Sequence, residues 1–300
     1  VQDRMSAQVL ARQAQARGQR DFNTSTGGGA YLIETQNVGF MELLRNRSVF
    51  LNMGAMRIPS LTGSVTIPRQ SAAGTAYWLA NETSQLTESN PTLVQMTLTP
   101  KTVGAYTEIS RQLLLQSAPG ADIIVMNDIA RVVALGIDAA GFTGTGSNGQ
   151  PQGLTGGGGI SGVGSVTGTS LGVAGVIEFQ ADVAGANALS PSCGYVTTPT
   201  VAGLLMQRAR FSNTDTPLWE GNMLDGKVFG FRAMSSNQVP SATVLFGDFG
   251  TVVIAEWGVL QIDVNPQADF KAGIIGVRGL ASVDIGFRLP AGFSLASSVT

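Results

Sequence analysis

ISRQLLLQSAPGADIIVMNDIARVVALGIDAAGFTGTGSNGQPQGL, residues 109–154, is the stretch on which the fold turns. It holds a short helix start, a long apolar helix and a glycine-rich turn in succession. Ser110 is placed to cap RQLLLQ, its hydroxyl accepting an otherwise unpaired backbone N–H. Ser117 with Pro119 can open the next helix. From Ala121 to Phe142 the polar residues Asn127, Asp128, Arg131 and Asp138 fall on one narrow stripe at a 3.6-residue period. A helix with so narrow a polar face is expected to be buried on most sides.

The turn after it contains Gly144-x-Gly146-x-x-Gly149, which matches the dinucleotide fingerprint letter for letter. That chemistry needs the glycines between a strand and a helix, so that a helix N-terminus meets the pyrophosphate. Here they follow a helix, and no Gly-Lys-Ser/Thr is present, so neither a dinucleotide site nor a P-loop is expected.

Upstream, residues 57–109 read as an extended ribbon. Strand formers surround Val65 and Ile67. GTAYWL (74–79) leads to a polar tip, ANETSQLTESNP. On the return, Val94, Met96 and Leu98 alternate with Gln95, Thr97 and Thr99 before Pro100, and 101–109 begins another strand. Such a ribbon cannot bury both faces alone, so a neighbour is expected to cover part of it. Residues 1–20 are locally basic and helix-favouring, and Gly27–Gly29 form a joint before Tyr31, Leu32 and Ile33. FMELLRNRSVFLNMG (40–54) shows short helical spacing.

Downstream, a Gly/Ser/Thr loop (155–172) precedes an α/β region: a helix over Val176–Leu189, a strand over Cys193–Thr197, and a helix opened by Thr198-Pro199. Short strands follow near Lys227–Met234 and Val244–Phe246, then long strand-like runs over Thr251–Val264 and Ile274–Leu289.

Composition narrows the function. The chain has 300 residues, 43% of them hydrophobic and only 13% charged, about half the usual quarter. Sparse charge fits either surface covered by other subunits or dilution by glycine and small polar residues. The net charge of −2 gives no global attraction to nucleic acid or acidic lipid. Histidine is absent, which removes the usual general base and the commonest metal ligand. Cys193, the one cysteine, has no histidine to activate it and reads as a buried core residue. Asp248 and Glu256 read as charges at strand edges rather than an acid–base pair. Arg208 and Arg210 end a helix, where cations suit the dipole. Trp219 and Trp257 read as packing residues, while Trp78 near the ribbon tip could dock on a neighbour. No catalytic, cofactor or metal site is expected, and no run of eighteen apolar residues predicts a membrane span.

The order of parts, with GGGAYLIET (27–35), the ribbon-to-helix block 76–118 and IDAAGFTGTGSNGQPQGL (137–154), resembles the major capsid proteins of tailed bacteriophages with the Hong Kong 97-like fold. The resemblance covers residues 22–300. It implies an α+β fold with an N-terminal helix and arm (1–56), an extended β-hairpin loop (57–108), a peripheral domain with a long spine helix (109–149 and 256–300) and an axial domain (150–255). It implies a structural, non-enzymatic protein whose hexamers and pentamers build an icosahedral head around double-stranded DNA, bound without sequence specificity. The implied setting is the virion, assembled in the host cytoplasm, with portal, scaffold or maturation protease, and a decoration protein as partners. A precursor trimmed at its N-terminus would fit Val1 as first residue. Tyr31, Ile33, Arg69, Trp78, Leu86 and Glu88 become candidates for subunit contacts. An encapsulin-like nanocompartment shell enclosing cargo enzymes is the alternative within the fold.

The type member of that family cross-links its subunits through a ribbon-tip lysine and a neighbour's asparagine. The tip here, Asn81 to Asn90, has no lysine, and Leu86 stands about where it would be. FKAGIIG (270–276), near the expected asparagine, has none either. No isopeptide bond is expected.

Overall fold

The computed structural model of the protein describes residues 48–79, 81, 85–116, 120–160, 163–211 and 215–300. The expected basic helix, the triple-glycine joint, and Tyr31 and Ile33 lie outside them. So do Ser117 and Pro119.

The described residues open with helix α1 (Val49–Asn52) and strand β1 (Met56–Ile58). The ribbon is β2 (Val65–Ala72) paired antiparallel with β3 (Thr92–Leu98), in a register running from Val65↔Leu98 to Ala72↔Thr92. The expected alternation is present: Val94, Met96 and Leu98 turn inward and Gln95 and Thr97 outward. Pro68 is accommodated because β2 has a free edge and need not donate there. Leu98 packs with Val253 and Ala255 at the ribbon's base.

Strand β4 (Lys101–Ser110) leaves the ribbon and leads to helix α2 (Arg111–Gln116) and the long helix α3 (Ala121–Thr143). Ser110 caps α2 as expected, its Oγ accepting the Leu113 N–H at 3.2 Å. Gly120 stands at the start of α3 and gives it no side-chain cap. The C-terminal half of α3 is covered, but its first half is open, with Ile123, Met126 and Val132 exposed beside Asn127 and Asp128. The expectation of burial on most sides therefore holds only for the later turns, which pack against other elements on more than one side. Asp138 also departs from its stripe: it is buried at 2% exposure.

Beyond α3 come β5 (Gly164–Ser165), helix α4 (Val173–Gly185), β6 (Cys193–Thr197) and helix α5 (Pro199–Gln207). Next are β7 (Glu220–Gly221), β8 (Gly226–Val228), β9 (Phe231–Ser235) and β10 (Val244–Asp248). The chain finishes with β11 (Val252–Glu256), β12 (Gln261–Asp269), β13 (Ile274–Phe287) and β14 (Phe293–Ala296). Helix α4 starts three residues before its expected span and stops four short of its expected end, at Gly185, and Asn187 just beyond takes a positive φ of 55°.

Two sheets organise these elements. In the five-stranded sheet β13 is the axis. Strand β4 pairs antiparallel along one edge, from Ile274↔Ser110 to Val283↔Lys101. Along the other edge lie β12 and then β11, with β1 parallel outside β11. The single strand expected over Thr251–Val264 is thus two strands. The register steps from Glu256↔Val283 to Gln261↔Leu280, and Gly258, at φ 82°, absorbs the offset. The seven-stranded sheet has the order β5-β14-β10-β6-β9-β8-β7.

Short 3-10 turns, Phe249–Thr251 and Pro290–Gly292, carry the chain between the sheets. Strand β10 shows how they share a core. Phe246 faces Phe179 and Tyr195 under α4 and α5, while Leu245 faces the other way, towards Phe50, Phe142 and Phe293. Alternate residues thus serve two clusters, so all five residues of β10 are buried.

Candidate assembly interface

The residues singled out for partner contact fall in different places. Trp78 is fully exposed at 100%, beside exposed Tyr77 and Leu79, and Leu86 is exposed at 64% on the returning run. The two runs stay adjacent because the Thr75 N–H donates to Ser89 Oγ at 2.5 Å. Glu88, also exposed, accepts from Asn90 Nδ2 at 3.0 Å. Arg69 sits lower and donates from Nη1 to the Arg288 carbonyl at 3.3 Å, fastening the ribbon to the end of β13. The structure therefore brings Trp78, Leu86 and Glu88 to one projecting end and sets Arg69 apart at an anchor. Exposed large apolar side chains near the end of a two-stranded ribbon, with Trp78 uncovered by any described residue, are suited to seating in another surface.

The remaining candidates are engaged within the chain. Arg57 holds Glu256 by two bonds of 2.6 Å, from Nε and Nη2, and this pairing raises the Arg57 guanidinium pKa. Asp248 accepts from Ser192 Oγ at 2.6 Å and the Gly250 N–H at 2.9 Å. The two carboxylates serve different partners and do not act as a pair. Arg208 donates to the carbonyls of Leu171 and Thr300. Arg210 bonds Glu220 at 2.6 Å and lies 4.5 Å from the Phe229 ring centre. Those cations tie the helix end to its own chain. Cys193 is buried. Trp219 is buried, donating to the Asn222 carbonyl at 2.9 Å, while Trp257 donates to the Gly63 carbonyl at 2.6 Å.

The glycine fingerprint is a closed turn. Gly153 N–H donates to the Gly144 carbonyl at 2.8 Å and Gly146 N–H to the Pro151 carbonyl at 3.1 Å. Asn148 and Gly149 have φ of 53° and 75°, the pair of positive values that a type I′ turn needs. Those two backbone donors are taken up by carbonyls of the same turn.

Sequence reading missed Asp138. Its carboxylate accepts from Ser48 Oγ at 3.0 Å, from the Val49 N–H at 3.0 and 3.1 Å, and from the Phe50 N–H at 3.2 Å. Burial raises its pKa and these bonds pull it part of the way back. It also borders an apolar cavity between α1, α3, β11 and β13 that no motif announced. Among the described residues no group of His, Cys, Asp and Glu is arranged to hold a metal, and no helix is long and apolar enough to cross a membrane.

Comparison with known proteins gives this geometry a family. The phage capsid family matches residues 28–297. The major capsid protein of Halomonas phage phiHAP-1 is 31% identical over 93% of this chain, which spans 45% of that relative's length. The major capsid protein of Klebsiella oxytoca phage phiKO2 is 24% identical, again over 93% of this chain and 70% of the relative. Among solved structures, the capsid of a native GTA particle superposes with a TM-score of 0.72 at 18% identity, covering 93% of this chain and 99% of that one. A chain of Microbacterium phage Oxtober96 gives 0.71 at 16%, covering 92% and 99%. These likenesses identify the Hong Kong 97-like capsid fold. The family match runs over residues 28–297, nearly the whole chain, and the chain belongs to the phage capsid family.

Proposed function

We propose that this chain is the building subunit of a phage head. Many copies associate as hexamers and pentamers and close into an icosahedral shell around double-stranded DNA. The observation that carries the reading is the ribbon: an arm of the subunit carries a fully exposed Trp78 that no described residue of its own chain covers. Apolar area buried between copies contributes about 25 cal/mol per Å² before ordering costs are met. The net charge of −2 suits a container that holds DNA without gripping it. The role is structural, without catalysis or cofactor.

The domain map is 1–56 for the helix and arm, 57–108 for the extended loop, 109–149 with 256–300 for the peripheral domain, and 150–255 for the axial domain. Strands β4 and β11 lie across its borders, since both join the sheet around β13. Portal, scaffold or maturation protease, and a decoration protein are the further partners. Assembly takes place in the host cytoplasm and the product is the virion shell. The relatives matched are phage capsid proteins, which favours a genome over enzyme cargo. Tyr31, Ile33, Arg69, Trp78, Leu86 and Glu88 supply contacts between copies.

No isopeptide bond joins the copies. The ribbon tip has no lysine, and Lys101 is bound to Asp284 at 2.9 Å. Boiled, denatured particles are expected to run as single chains. Electron microscopy tests the central reading: closed particles enclosing nuclease-protected DNA are expected, and a protein that stays monomeric under all assembly conditions overturns it.

A further inference from the structure

The ribbon tip has an exposed aromatic knob, and the body of the subunit has an apolar hole. The hole is a cavity of about 230 Å³ whose walls include Ile137 of α3, Ile254 of β11 and Val283 and Ile285 of β13. An apolar cavity of about 150 Å³ accommodates a benzene ring, so this one has room for the larger indole. Leu51 and Val259, exposed at 50% and 80%, also line it. Glu256 lines the same cavity, and its side chain is 17% exposed. Its carboxylate accepts from Arg57 and retains lone pairs for one more donor.

We propose that this cavity receives the Trp78 side chain of a second copy of the chain. The inference rests on the shell reading above and names the receptor for the ribbon tip. Three complementarities carry it. Trp78 is the one fully exposed large apolar residue among those described, and the cavity is apolar and of indole size. Tyr77 and Leu79 flank the knob as Leu51 and Val259 flank the hole, so a seated tip covers both sets. The indole N–H, which needs an acceptor once buried, meets the Glu256 carboxylate. The donor is another copy because Trp78 lies six residues past Ala72, at the outer end of a ladder anchored by Leu98. That is roughly 45 Å of extended chain from the ladder's base at about 3.3 Å per residue.

The test places a photoreactive aromatic on the ribbon. Trp78→p-benzoylphenylalanine chains are assembled with isotope-labelled unsubstituted chains, irradiated and digested. Cross-links from position 78 to labelled peptides spanning 130–138 or 254–260 are expected. Particles that form but cross-link elsewhere overturn the proposal and leave the shell reading intact. Failure of the unsubstituted chain to form particles overturns both. Ala134→Leu, which narrows the cavity from its α3 wall, is expected to cut assembly at least about tenfold, the loss typical of a blocked hot spot, while the subunit melts as before. Unchanged assembly counts against the receptor. Free 3-methylindole is expected to raise the melting temperature of the unassembled chain and to slow assembly, and no shift at saturation overturns the site.

Discussion

Asp138 accepts the Val49 N–H at 3.0 Å across 89 residues of sequence, and through it the long helix caps the first helix of the described chain. The Phe50 N–H and Ser48 Oγ complete the set. A helix of one turn leaves its first amides without internal partners. Asp138 supplies the acceptor that sequence-local capping does not, since Ser48 makes no side-chain cap bond.

Replacing Asp138 with Ala strands two buried amides. A cost of about 2–4 kcal/mol is expected from the unsatisfied donors, read as a lowered urea midpoint at unchanged slope. Asp138→Asn keeps one acceptor and should lose less. The pair also reports on pH. Burial raises the Asp138 pKa, so the native state holds that proton more tightly than the unfolded chain. The resulting contribution is fully present below the unfolded value and is lost as pH rises through the folded one. Relative to Asp138→Asn, the parent should gain stability as pH falls through the carboxylate range. A parent that loses ground in acid refutes the assignment.

Gly141 lies near the end of α3, and a methyl group there would meet the Phe50 ring at 2.4 Å. Helix propensity alone favours Gly→Ala by about 1 kcal/mol. Packing opposes it, because Phe50 is also wedged against Phe142, with ring centres 4.4 Å apart, and against Phe249 at 5.8 Å. Overpacking of this kind costs about 1–3 kcal/mol, so Gly141→Ala should be neutral to destabilising by about 2 kcal/mol in thermal melts. A stabilised variant shows that Phe50 can yield.

These two positions show what the sequence made legible. The period of residues 121–142 was visible, and so was the alternation of Val94, Met96 and Leu98, because both are local patterns. Asp138 shares its helical stripe with Asn127, Asp128 and Arg131, and only a partner 89 residues away decides that it is buried. The break at Gly258 was hidden for a similar reason, since Thr251–Val264 is uniformly strand-like and the register step depends on β13. Trp78 was recognisable as a projecting residue. The cavity was not, because its walls come from four separated segments.

The glycine turn should discriminate between its members. Gly149 has a φ of 75° with open space around it, so Gly149→Ala meets only backbone strain, about 1–2 kcal/mol. A methyl group on Gly153 would lie 2.6 Å from the Gly144 nitrogen and 2.7 Å from the Ala140 carbonyl oxygen. Gly153→Ala must displace backbone at the end of α3 and should cost clearly more. Equal losses in chemical denaturation would show that the turn repacks freely.

Asp284 is almost fully buried, its side chain 3% exposed, and it receives Lys101 Nζ at 2.9 Å and the Thr99 N–H at 3.0 Å. The pair ties the start of β4 to β13 where the ribbon leaves the sheet. Removing one member of a buried pair leaves the other charge uncompensated, at about 3–5 kcal/mol. Lys101 keeps 24% of its side chain exposed, so Lys101→Met should fall nearer 2–3 kcal/mol, with water reaching the carboxylate. Asp284→Ala also strands the Thr99 amide and should cost as much or more. The double variant is expected to lose less than the sum of the singles, because the second substitution removes a charge that the first left unpaired. Additive losses would show that Lys101 and Asp284 act independently.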